Sequence, residues 1–155
     1  MAELQSGASA PAFSLLDQDG KTVRLTDFAG KKLLLYFYPK ADTPGCTTQA
    51  CSIRDAMPDL SVAGIEAVGV SPDKTESLKK FKGKYQLNFP LLSDPDHRIA
   101  DSYGVWGEKS RFGKKYEGII RSSFLVDEEG KVIRSWYNVK PEDTVPFARE
   151  ALASK

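Results

Sequence analysis

Histidine is almost missing from this 155-residue chain, with His97 the only one, and cysteine occurs twice, as Cys46 and Cys51. A zinc site needs four side-chain ligands, or three and a water, so this shortage makes metal the weakest reading of the cysteine pair, and no metal is expected. No apolar run approaches the roughly 20 residues that cross a bilayer, and Met1-Ala2-Glu3-Leu4-Gln5-Ser6 lacks the charged-then-apolar pattern of a signal peptide. A charge excess is missing too: 22 lysines and arginines face 21 aspartates and glutamates, and no window is basic enough to follow a phosphate backbone. Neither nucleic acid nor membrane is therefore an expected partner, and the cytoplasm is the expected address. In that reducing setting two cysteines are catalytic, metal-binding or inert rather than a structural staple.

Repeats, low-complexity tracts and linkers are also lacking, so a single domain over residues 1–155 is expected, long enough to bury a core unaided. Strand-like and helix-like blocks alternate, as in an α/β domain built on one sheet. Phe13 to Leu16 and Lys21 to Leu25 predict an N-terminal hairpin closed by an Asp-Gly turn. Leu33 to Tyr38 is a continuous apolar run, as in a central strand covered on both faces, with Ile65 to Val70 as its parallel neighbour. Between them a helix is predicted from Pro44 to Met57, ended or kinked by Pro58. Further helices are predicted over Thr75 to Tyr85, His97 to Tyr103 and Glu142 to Leu152, a short strand over Phe89 to Leu92, and a hairpin from Arg121 to Val126 and Lys131 to Trp136.

The chemistry-bearing segment is Pro39-Lys40-Ala41-Asp42-Thr43-Pro44-Gly45-Cys46-Thr47-Thr48-Gln49-Ala50-Cys51. Thr43 is a good N-cap and Pro44 suits the first helical position, which places Cys46 at the third. Only about 3% of an ordinary thiol is thiolate at neutral pH, and the thiolate is the nucleophile. Free backbone N–H groups and the positive end of a helix dipole favour the anion. Cys46 is thus the candidate reactive thiol, although a cysteine that simply fills space beside the strand has the same spacing. Residues five apart in a regular helix have Cα atoms about 8.5 Å apart, and a disulfide spans no more than about 7 Å. A bond between Cys46 and Cys51 would need part of such a helix to unwind.

Pro39-x-x-x-Thr43-x-x-Cys46 resembles the active-site signature of the peroxiredoxins, and Cys51 resembles the resolving position of their Q-type subgroup, the bacterioferritin comigratory proteins. The resemblance extends to Ala10-Pro11-Ala12-Phe13, Val68-Gly69-Val70-Ser71, Phe89 to Asp94, Tyr103-Gly104-Val105 and Arg121 to Asp127. It implies a thioredoxin-like fold, a central mixed β-sheet flanked by helices with an N-terminal β-hairpin. It also implies reduction of hydrogen peroxide and organic hydroperoxides without a cofactor. Cys46 would be the peroxidatic cysteine, Thr43 the peroxide-binding hydroxyl, Pro39 the shield against water and Arg121 the guanidinium that stabilises thiolate and transition state. Cys51 would form the intramolecular disulfide with Cys46, a thioredoxin-type dithiol would reduce it, and the protein would be a monomer. Gln49 departs from the pattern, since an acid often stands there to hold the arginine. Trp106, Phe112 and Trp136 receive no role. Two other readings stay open: a thiol-disulfide oxidoreductase, although the Cys-x-x-Cys spacing is missing, and a redox-responsive chaperone or binding module.

Overall fold

Leu33 to Tyr38 is apolar at every position because both faces of this stretch are covered, and the rest of the chain is arranged around it. A computed structural model describes residues 3–153. The elements run β1 (Ser14–Asp17), β2 (Thr22–Arg24), a short 3-10 turn (Leu25–Phe28), β3 (Lys32–Phe37), α1 (Pro44–Val62), β4 (Ile65–Ser71), α2 (Thr75–Tyr85) and β5 (Leu91–Ser93). They continue with α3 (Arg98–Ser102), β6 (Trp106–Arg111), β7 (Lys114–Ile119), β8 (Ser122–Val126), β9 (Val132–Trp136) and α4 (Thr144–Ala153). Seven strands form one sheet in the order β2-β1-β5-β4-β3-β8-β9. The β3-β4 and β4-β5 pairs are parallel, while β8 pairs antiparallel with β3 and β9, and β1 with β2 and β5, so the sheet is mixed as expected.

Alternation along β3 divides the core. Leu34, Tyr36 and Tyr38 face a cluster containing Cys46, Ala50 and Ile53 of α1, Leu78 and Phe81 of α2, and Ala148 of α4. Leu33, Leu35 and Phe37 face the other side, against Val68, Val70, Tyr103 and Phe124. The side chains of a strand point alternately to opposite faces, so a run with two covered faces keeps no polar position. Gly69 of β4 stands beside Tyr36, and a Cβ there would lie 2.8 Å from the Tyr36 ring and hydroxyl. Only glycine leaves room for that tyrosine.

Several expectations need correction. Helix α1 does not stop at Met57 but runs through Pro58 to Val62. Proline lacks the N–H that would bond the carbonyl four residues back, here that of Arg54, and the Asn88 side chain supplies the missing donor at 3.1 Å. The strand placed at Phe89 to Leu92 is shifted to Leu91–Ser93. His97 caps α3 in the left-handed region, with φ of 49°, rather than opening it. Residues Trp106 to Ile119, given no structure from the sequence, form a separate two-stranded hairpin. Among the described residues no helix is long and apolar enough to cross a membrane.

Candidate active site

The C-terminal ends of β3 and β4 lie side by side, and the chain leaves β3 through Tyr38 and Pro39 into the loop that starts α1. Thr43 takes the N-cap position with extended backbone, Pro44 follows inside the first turn, and Cys46 is the third residue of the helix. Thr47 N–H is the first to bond back, to the Thr43 carbonyl at 2.8 Å. Pro44 has no N–H, so those of Gly45 and Cys46 are the donors the helix leaves unused at this end.

The Thr43 hydroxyl does not cap the helix as expected. It donates instead to the Lys40 carbonyl at 2.8 Å, which commits its only proton and leaves its oxygen free to accept. Cys46 is buried, with 1% of its surface exposed. Arg121, immediately before β8, donates from Nη2 to the Cys46 sulfur at 3.4 Å and from Nη1 to Gln49 Oε1 at 2.7 Å. The approach depends on Gly45, where a Cβ would meet Arg121 Nη2 at 3.0 Å.

Gln49 is fully buried, and its Nε2 donates to Thr144 Oγ1 at 3.0 Å, which is bonded in turn to Ser123 Oγ at 3.0 Å. The neutral amide therefore orients Arg121 as an acid would, by accepting from it, but leaves the positive charge uncompensated. The links to Thr144 and Ser123 were not anticipated. No sequence spacing connects α1, β8 and α4 at these positions.

Pro39 and Arg121 line a cleft of about 530 Å³, together with Gly104, Lys109, Ile120, Tyr137 and Val139 among others. Another cleft, of about 340 Å³ and lined by Leu25, Phe28, Leu33 and Val126 among others, contains none of the candidate residues. Trp106, Phe112 and Trp136 do not line the cleft beside Arg121. Trp106 stacks on His97 with ring centroids 3.8 Å apart, Trp136 stacks on Phe147, and Phe112 stands at the exposed end of the β6-β7 hairpin.

Cys51 lies one and a half turns beyond Cys46 on the same unbroken helix, partly exposed, and both thiols are free. Tyr36 of β3 packs in the same core cluster as Cys46. Burial first, then the neighbouring Tyr38 and Cys46, push its hydroxyl well above the usual phenol range, with Arg121 acting the opposite way, so Tyr36 is neutral.

A helix start that presents unused N–H groups and a guanidinium on the sulfur set hydrogen-bond donors around the Cys46 thiol, an arrangement suited to thiol chemistry next to the cleft that Arg121 lines. Comparison with known proteins agrees with that chemistry. Residues 6–135 match the model of the AhpC/TSA family. Over 132 residues the chain is 57% identical to peroxiredoxin Bcp of Escherichia coli, with 85% of each chain covered. A mutant of Xanthomonas campestris peroxiredoxin Q superposes with a TM-score of 0.89 at 35% identity, covering 97% of this chain and 98% of that one. Bacterioferritin comigratory protein from the same organism, studied for alkyl peroxide reduction, gives 0.85 at 35% identity over 92% and 91%. A mutant of Xylella fastidiosa PrxQ gives 0.92 at 26% identity over 99% and 98%. The fold shared with these structures is the thioredoxin-like peroxiredoxin fold, with its mixed central sheet and flanking helices. The chain belongs to the AhpC/TSA family and, within it, to the Q-type or bacterioferritin comigratory protein peroxiredoxins.

Proposed function

We propose that this thiol-dependent peroxidase reduces hydrogen peroxide and organic hydroperoxides through Cys46, with Cys51 as the resolving cysteine. The observation that carries the reading is the Arg121 Nη2 contact of 3.4 Å with a sulfur held at the start of α1. The Cys46 thiolate attacks the terminal peroxide oxygen; the S–O bond forms as the O–O bond breaks. The departing oxygen takes up a proton and leaves as water or an alcohol, and Cys46 becomes a sulfenic acid. Arg121 and the Gly45 and Cys46 N–H groups are preorganised donors for charge moving from sulfur to the leaving oxygen. Each such donor is worth on the order of 10²-fold in rate.

Thr43 accepts the peroxide O–H, because its own proton is held by the Lys40 carbonyl. Pro39, on the cleft wall beside Arg121, keeps bulk water from the sulfur. Near-complete burial of Cys46 favours a small peroxide over a protein disulfide as its reaction partner.

Resolution follows when the Cys51 thiolate attacks the Cys46 sulfur, forming the disulfide and releasing the sulfenic oxygen as water after proton uptake. Two thiols five residues apart in a regular helix are too far apart to bond, so α1 must unwind around Gly45 to Arg54. A thioredoxin-type dithiol supplies the two electrons that restore the thiols, and the protein works as a soluble monomer in the cytoplasm. Replacing Cys46 with serine should abolish peroxide consumption. Cys51→Ser should consume one equivalent without forming an intramolecular disulfide; loss of that first turnover would contradict the assignment.

A further inference from the structure

The β6-β7 hairpin, unanticipated from the sequence, brings a second cation into the cleft that holds Arg121. Lys109 lines that cleft, and its Nζ donates to the carbonyl of Ile119 at 2.7 Å, two residues before Arg121. The same ammonium lies 6.0 Å from the centre of the Tyr116 ring. A carbonyl fixes the ammonium without neutralising it. Among the described residues no carboxylate lies within ion-pair distance of Lys109, and Glu108 beside it pairs with Lys115 at 3.5 Å.

Arg121 is in the same position, bonded to the neutral Gln49 amide and to sulfur. Glu3 and Glu108 line the same cleft but neither is ion-paired with Lys109 or Arg121, so the two cations repel each other and negative charge forming beside them is favoured. Burial, followed by Arg121, pushes the Lys109 ammonium below the usual lysine range, and the Cys46 sulfur is the group that acts the other way. Such coupling is reciprocal: a thiolate that favours the Lys109 cation is favoured by it.

We propose that Lys109 is an electrostatic positioning residue of the peroxide-reducing site, whose charge acts across the cleft to favour the Cys46 thiolate and the negative charge passed to the leaving oxygen. It adds to the positive field that a neutral Gln49 leaves unopposed at Arg121. The other titratable groups near Cys46 or on the cleft wall do not supply that charge. Tyr36 and Tyr38 of β3 are kept neutral by burial, Cys51 is a thiol on the same helix, and Glu3 and Glu108 on the cleft wall are acidic. This role rests on the reading of Cys46 as the nucleophile.

The test uses the Cys51→Ser protein, in which Cys46 is the single thiol, with Lys109→Met, Lys109→Arg and Lys114→Met added separately. Alkylation by iodoacetamide is followed against pH at low and at high salt, and peroxide consumption is followed at neutral pH. Lys109→Met should move the alkylation profile to higher pH and slow both reactions at neutral pH by about two- to tenfold, less so in about 1 M salt. Lys109→Arg should restore most of the loss, and Lys114→Met, on the same hairpin, should change nothing. An alkylation profile for Lys109→Met that coincides with its parent would overturn the proposal, as would an equal shift for Lys114→Met. A Lys109-dependent alkylation profile without any peroxide consumption would support the electrostatic role and overturn the peroxidase reading instead.

Discussion

Asn88 donates its side-chain amide to the main-chain carbonyl of Arg54 at 3.1 Å, filling the place of the N–H that Pro58 lacks. The Arg54 guanidinium returns the contact by donating to the Tyr85 carbonyl at 2.8 Å. The middle of α1, just past Cys51, is thereby tied to the end of α2. Removing the amide in Asn88→Ala should cost about 1 kcal/mol of stability and make the Cys51 turn easier to unwind. Denaturant melts should show the loss, and disulfide formation after a peroxide pulse should be faster than in the parent. An unchanged or slower resolution step would show that this tie does not restrain the helix.

The other end of the segment is tied to the same place. Asp42, with φ of 62°, accepts from Lys84 Nζ at 2.9 Å and from the Tyr85 hydroxyl at 2.9 Å. Hydrogen bonds from Lys84 and then Tyr85 hold its carboxyl below the usual range, so the tie is intact at neutral pH and is lost as the pH falls through that lowered value. Asp42→Ala should mimic the acid state at neutral pH. It should raise hydrogen exchange in residues 39–46 and shorten the lifetime of the sulfenic acid. Protection equal to the parent would show that Asp42 is merely solvated.

Gly45 separates activity from stability. Its backbone is not in the left-handed region, and alanine is a better helix former by about 1 kcal/mol, yet a Cβ would press on Arg121 Nη2 at 3.0 Å. Gly45→Ala should melt no lower than the parent while reducing peroxide several-fold more slowly, as the guanidinium is pushed off the sulfur. Parental rates in a stable Gly45→Ala protein would mean that the 3.4 Å contact does not assist the chemistry.

Gln49→Met keeps the volume and removes both hydrogen bonds of the amide. Leaving Arg121 Nη1 and the Thr144 hydroxyl short of partners should cost about 1–3 kcal/mol of stability. The loss of orientation should slow the peroxide step on the order of tenfold. If the rate constant is unchanged while the melting temperature drops, Gln49 serves the fold alone.

The sequence disclosed different parts of this protein for different physical reasons. Strand β3 was legible because burial of both faces removes every polar residue from Leu33 to Tyr38, and the start of α1 because Thr43-Pro44 suits only a few backbone states. Continuation past Pro58 was not legible, since its compensating donor lies 34 residues beyond Arg54. Strands β6 and β7 escaped because half of their residues are charged, with no apolar alternation to mark a buried face. The contact between Cys46 and Arg121 spans 75 residues, and no spacing rule reaches that far; the family resemblance alone suggested it. Lys109 had neither route, because its place in the cleft depends on the hairpin that was missed.

Fully reduced protein is mixed with one equivalent of hydrogen peroxide, without reductant, and peroxide is followed together with free thiols. Rapid loss of one peroxide with both thiols, giving a monomeric Cys46-Cys51 disulfide, is the predicted result. Peroxide loss at the pace of an ordinary thiol, with both cysteines still free, would contradict it.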